Sequence, residues 1–132
     1  MSEHIASCRC GQLRIHCIGE PVRVSVCHCL ECQKRTGSAF GAQVRWEDDQ
    51  VMIEGIWSEW NRTADSGNRA TYRFCAKCGS TVAYSGEGML GYTAVPVGAF
   101  AGQDLPSPIY SFYERRQVPW TAVLGDEVEH IL

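Results

Sequence analysis

Eight cysteines dominate the chemistry open to this chain of 132 residues: Cys8, Cys10, Cys17, Cys27, Cys29, Cys32, Cys75 and Cys78. Seven fall in tight groups and Cys17 stands alone. Thiols at such spacing can bridge one another or bind a soft metal ion. Neighbours as close as Cys8 and Cys10 bridge only with strain. Clustered cysteines in a reducing compartment read first as metal ligands.

The first group, Cys8-Arg9-Cys10-Gly11, and the last, Cys75-Ala76-Lys77-Cys78-Gly79, are each a pair of thiols on a tight turn followed by glycine. Glycine lets the backbone fold back so that both sulfurs face one ion. Together Cys8, Cys10, Cys75 and Cys78 supply four thiolates, the complement of a tetrahedral structural zinc. Such a site ties the start of the chain to its middle, and its binding energy is then folding energy.

The middle group, Cys27-His28-Cys29-Leu30-Glu31-Cys32, supplies three thiolates and no local fourth ligand. Three protein ligands plus one free position is the pattern of catalytic zinc, whereas structural zinc is saturated. Cys27, Cys29 and Cys32 are therefore candidate catalytic metal ligands, open to water or a substrate thiol. A distant residue closing the site is the competing reading, with Cys17, His4, His16, His28 and His130 as the donors available. Iron is an alternative to zinc at an all-sulfur site.

Other residues are read around these groups. Lys34 and Arg35 follow the middle group and are candidates to offset its negative charge or hold a carboxylate of a thiol substrate; solvated turn residues are the plainer reading. His28 lies between two ligands, so its ring is expected to point away from their ion, either supporting the site or exposed. Cys17 is expected to be buried and unreactive, and His4, His16 and His130 to lie at the surface. Core packing accounts for most of the aromatic residues Tyr110, Phe112, Tyr113 and Trp120 near the basic pair Arg115-Arg116.

The elements that position these groups are strands. Gln12 to Ile18 alternates, with Leu13, Ile15 and Cys17 on one face. In Val22 to Val26 the three valines share a face. Further strand candidates are Ala39 to Trp46, Gln50 to Glu54, Ser58 to Arg62, Thr71 to Phe74, Thr81 to Tyr84 and Tyr92 to Val97. Turns are expected at Asp65-Ser66-Gly67-Asn68 and Ser85-Gly86-Glu87-Gly88. Short helical turns are expected at Glu31 to Thr36, ended by Gly37, and at Pro96 to Ala101. The pattern predicts a mainly antiparallel β domain with little helix, spanning 1–132 as one unit.

A net charge of -3 argues against a general nucleic-acid binder. The start of the chain lacks an apolar signal segment. No stretch approaches the roughly 20 apolar residues of a membrane span. The expectation is a cytoplasmic protein without membrane or nucleic-acid partners.

The order Cys-x-Cys-Gly, then Cys-His-Cys-x-x-Cys with a basic, Gly-terminated turn, then Cys-x-x-Cys-Gly-Ser resembles the glutathione-dependent formaldehyde-activating enzyme family. That family also includes the centromere protein V-like proteins. The likeness runs from Ser7 to about Trp120. It implies an Mss4-like fold of several coiled antiparallel β-sheets. It also implies two zinc ions, a structural one on Cys8, Cys10, Cys75 and Cys78 and a catalytic one on Cys27, Cys29 and Cys32. The implied activity is a carbon–sulfur lyase that joins glutathione to formaldehyde to give S-hydroxymethylglutathione. One feature of many members is missing: Ser107 to Trp120 keeps Pro119-Trp120 but holds no histidine. The alternative function is a zinc-stabilised binding module with both metals structural.

Overall fold

The computed structural model describes residues 2–132. Its strands in chain order are β1 (Glu3–Ser7), β2 (Arg14–Ile18), β3 (Arg23–Cys27), β4 (Gly41–Glu47), β5 (Val51–Glu54), β6 (Trp57–Thr63), β7 (Arg69–Cys75), β8 (Thr81–Gly86), β9 (Tyr92–Pro96), β10 (Tyr110–Phe112) and β11 (Glu129–His130). A single α-helix among the described residues, α1 (Leu30–Thr36), joins β3 to β4. Short 3-10 turns occupy Asp48–Gln50, Glu87–Met89, Val97–Phe100 and Glu114–Arg116. The mainly-β expectation holds.

The strands form two sheets. A three-stranded sheet has the order β1-β2-β5, and an eight-stranded sheet runs β11-β10-β3-β4-β9-β8-β7-β6. The small sheet is antiparallel throughout. The large one is antiparallel from β3 to β6, but β10 runs parallel to both β3 and β11. The mainly antiparallel expectation holds, with the pairings of β10 as its parallel exceptions. Parallel neighbours need long connections to bring the chain back in the same direction. Residues 97–109 and 113–128 supply them here.

The core lies where apolar side chains from both sheets meet. Leu13, Ile15 and Cys17 are fully buried, as their alternation predicts. They join Val44, Trp46, Val82, Val95 and Phe100. The Trp46 ring lies 5.4 Å from that of Phe100, and its indole N–H donates to the Gly19 carbonyl at 3.3 Å. The expected one-faced burial of β3 gives way to burial on both faces, because Val24, Ser25, Val26 and Cys27 are all enclosed. Val22 falls before the strand and is exposed. This central strand carries the first ligand of the middle cysteine group.

Two aromatic expectations are corrected. Tyr113 and Trp120 are exposed; they follow β10 in the strand-free segment 113–128. Tyr110 and Phe112 are half-buried and stack on each other at 5.2 Å. His4, expected at the surface, is half-buried with its ring against Trp46 and Phe100. Among the described residues no helix is long and apolar enough to cross a membrane.

Trp46→Ala removes the largest fully buried side chain among the described residues and a part-buried hydrogen bond. We expect it to destabilise the fold by about 3–5 kcal/mol, read as a fall in the urea midpoint; a loss below about 1 kcal/mol would contradict this account of the core.

Candidate metal centres

The first and last cysteine groups converge where the two sheets meet. Cys8 follows β1 directly, Cys75 ends β7, and Cys78 lies in the turn into β8. The two turns are built alike. The Gly11 N–H donates to the Cys8 carbonyl at 3.1 Å, and the Gly79 N–H donates to the Cys75 carbonyl at 3.0 Å. Both glycines take left-handed φ values, 83° and 81°, which side chains resist.

Backbone donors aim at the sulfurs inside these turns. Leu13 N–H points at Cys8 Sγ at 3.4 Å. The N–H groups of Lys77 and Cys78 reach Cys75 Sγ at 3.3 Å each. The Gln12 side chain adds a donor to Cys75 Sγ at 3.0 Å while bonding both the N–H and the carbonyl of Ile56. Nothing in the sequence marked Gln12, since its role depends on a neighbour 44 residues away.

The four sulfurs of Cys8, Cys10, Cys75 and Cys78 lie within 4.8 Å of one another. Cys8 and Cys10 are 3.5 Å apart and Cys10 and Cys75 are 3.7 Å apart. A tetrahedron with zinc–sulfur bonds of about 2.3 Å has edges of about 3.8 Å, so the donor set fits that ion. None of the eight cysteines is in a disulfide. The thiols already divide their protons unequally. Hydrogen bonds from the Ser80 side chain and backbone hold Cys78 down at about 5. Burial pushes Cys75 up, but the Cys78 N–H, the Gln12 amide and the Lys77 N–H outweigh it and leave it at about 7. Cys10 is helped by a backbone bond at Gln12, yet burial and the neighbouring thiols carry it to about 11.

The middle group is built on a strand end and a helix start. Cys27 ends β3, Cys29 caps α1 by accepting the Cys32 N–H at 3.4 Å, and Cys32 sits in the first turn of the helix. Their three sulfurs also lie within 4.8 Å of one another. The group has three members: Cys17 and the four histidines fall outside it. Cys32 is held at about 6, first by the Cys27 thiol donating to it, with the Arg35 charge assisting against burial. Donating to Cys32 and burial both push Cys27 up, and burial pushes up Cys29.

The helix that carries Cys32 sorts the two basic candidates. Arg35, one turn on, lies beside Cys32 with its guanidinium 4.8 Å from the centre of the Tyr84 ring. Its Nη2 is buried without a hydrogen-bond partner. A Cβ on Gly41 would come within 2.8 Å of that nitrogen and 3.2 Å of Cys32 Cβ, so only glycine leaves them room. Lys34 is exposed. Glu31 pairs with Arg62 at 3.3 Å, anchoring α1 to β6. Tyr84, which the sequence reading passed over as a strand residue, stands near Cys27, Cys32 and Arg35, and burial raises its phenol.

His28 is fully buried, which removes the expectation that it is exposed. It stays outside the sulfur group, as its place between two ligands predicts. Its Nε2 lies 2.9 Å from Ser111 Oγ and its ring packs on Phe40. Its backbone N–H donates to Phe112. Beyond Ser111, Glu114 lies 2.6 Å from His130 Nδ1. Cys17 is buried away from both groups, its thiol pushed up to about 12 by burial. His16 sits between Glu3 and Glu54.

Ser111→Ala leaves the buried His28 ring without its partner. The expected cost is about 1–3 kcal/mol, measured as a lowered urea midpoint; an unchanged midpoint would show that the bond does not support the loop.

No curated protein matches the chain. A crystal structure of a Rhodobacter sphaeroides protein shares its fold, with a TM-score of 0.59 at 16% identity over 76% of this chain and 90% of the other. Residues 3–116, which hold every cysteine of both groups, match the family described as glutathione-dependent formaldehyde-activating enzyme. The chain belongs to that family.

Proposed function

We propose that this protein is a two-zinc enzyme of carbon–sulfur lyase type that joins a small thiol, glutathione foremost, to formaldehyde or another small electrophile. The observation that carries the reading is the difference between the two sulfur groups: four members in one, three in the other. Cys8, Cys10, Cys75 and Cys78 form the closed, structural site. Cys27, Cys29 and Cys32 would hold the second ion with three protein ligands, which would leave room for an incoming sulfur. Zinc bound there would keep a substrate thiol deprotonated near neutral pH and fixed in place.

The chain's own residues do the rest. Three thiolates on a divalent ion leave one net negative charge, and an incoming thiolate doubles it. Arg35 sits beside Cys32 to offset that charge, while Lys34 contributes only from the exposed side of α1. The substrate sulfur forms a bond to the carbonyl carbon, the carbonyl π electrons pass to oxygen, and that oxygen takes up the proton the thiol gave up. Tyr84, kept protonated by burial, is the donor available to the oxygen as its charge develops. His28, pinned by Ser111, holds the cysteine loop in register for this step. We place the protein in the cytoplasm, where its free thiols stay reduced, and treat residues 1–132 as one domain because both sheets share a core.

The test is proton NMR of glutathione and formaldehyde mixtures at equilibrium, reading exchange with S-hydroxymethylglutathione. The zinc-loaded protein is expected to speed exchange well above the spontaneous rate, and Cys29→Ser to return it to that rate with the circular dichroism unchanged. Cys78→Ser should instead lower the melting temperature of the whole fold. Exchange at the spontaneous rate with both sites loaded would defeat the proposal and leave a zinc-stabilised binding module.

A further inference from the structure

The face of the large sheet that carries Cys27 also carries an uncompensated pair of arginines. Arg23 and Arg45 are direct partners across β3 and β4, in the same register that sets Ser25 against Gln43 and Cys27 against Gly41. Side chains alternate along strands, so these six residues share one face. Like charges directly opposite one another are unfavourable. Among the described residues no carboxylate pairs with either arginine; the arginine ion pairs use Arg62 and Arg73. Glu47, the acid on that face of β4, is occupied capping its own 3-10 turn. Burial and the charge of Arg23 both act against the charge on Arg45.

The pair is also pre-set. Arg23 lies over the rings of Tyr110 and Phe112, at 5.2 and 5.3 Å, and Arg45 over Tyr92 at 5.4 Å. Stacking fixes the plane of a guanidinium and leaves its N–H edge for a planar anion. Two buried polar atoms of this patch have no partner, the donor Arg23 Nε and the acceptor Gln43 Oε1. Unpaired buried groups are costly, and this complement of a donor and an acceptor suits a ligand with a carboxylate and an amide N–H.

We propose that Arg23 and Arg45 form a carboxylate-binding subsite beside the three-cysteine centre, which takes a small peptide-like thiol by its carboxylate while Gln43 accepts one of its N–H groups. The inference rests on the reading of that centre as a thiol site. Cys27 and Arg23 are four residues apart, about 13 Å along the strand. An extended tripeptide covers about 10 Å, and the arginine side chains close the difference. A cleft of about 760 Å³ is lined by Arg35, Ala42 and Val97 and by none of the three sulfurs.

The experiment is calorimetric titration of the zinc-loaded protein with S-methylglutathione, whose blocked sulfur cannot enter the metal site as a thiolate, and with its diethyl ester. Wild type is expected to bind the acid at least tenfold more tightly than the ester, with affinity falling as salt rises. Arg23→Gln with Arg45→Gln should weaken acid binding at least tenfold and leave the ester unchanged. The double lysine variant, which keeps the charge and loses the planar fork, should fall between and covers the case in which the glutamine variant does not fold. Absence of binding by wild type, equal affinity for acid and ester, or wild-type affinity in the variants would each overturn the subsite. Binding through the arginines without any acceleration of adduct exchange would retire the proposed reaction and leave the subsite standing. Accelerated exchange with unaltered binding in the variants would do the reverse.

Discussion

Four sulfur atoms meeting at the junction of two sheets impose the constraint on which this fold turns. Cys8 and Cys10 arrive from the small sheet, and Cys75 and Cys78 from the large one, 65 residues further along between Cys10 and Cys75. Backbone N–H groups surround them and favour thiolates, yet four thiolates within 4.8 Å of one another cannot all stay charged without a cation. The spread of the thiols, from about 5 at Cys78 to about 11 at Cys10, is what such crowding looks like when protons must supply the compensation. A divalent ion bound there would remove the conflict and fasten the sheets together at the same time.

The second sulfur group depends on that arrangement because its own helix is too short to stand alone. Seven residues make barely two turns, well under the length at which an isolated helix persists. What holds α1 is external: Glu31 on Arg62 of β6, Arg35 on Tyr84 of β8, and the Gln33 amide donating to the carbonyls of His28 and Arg116. Apart from His28, which links β3 to the helix itself, each partner sits on the large sheet or on the segment beyond β10. The three sulfurs are thus placed by rigid neighbours, which is what a site needing sub-ångström positioning requires.

Much of this was legible from spacing. The glycine after each cysteine pair announced two like turns, and the alternation of Leu13, Ile15 and Cys17 announced a buried face. Gly37 marked the end of α1, whose N–H returns to the Gln33 carbonyl. What escaped was settled by distant partners. β10 and β11 are three and two residues long and carry no periodic signal. The parallel pairing of β10 with β3 depends on where a long connection returns. The burial of His28 depends on Ser111, 83 residues away, and Trp120 lies exposed in the strand-free segment after β10. Tyr84 read only as a strand residue until α1 brought Arg35 over its ring.

The central claim is that seven sulfurs divide four and three between two ions. X-ray absorption at the zinc edge of the reduced, metal-loaded protein, with and without saturating glutathione, tests it most directly. The account predicts two zinc ions per chain and a mean sulfur count that rises when the thiol is added. A single ion, or a zinc environment identical in the two samples, would contradict it.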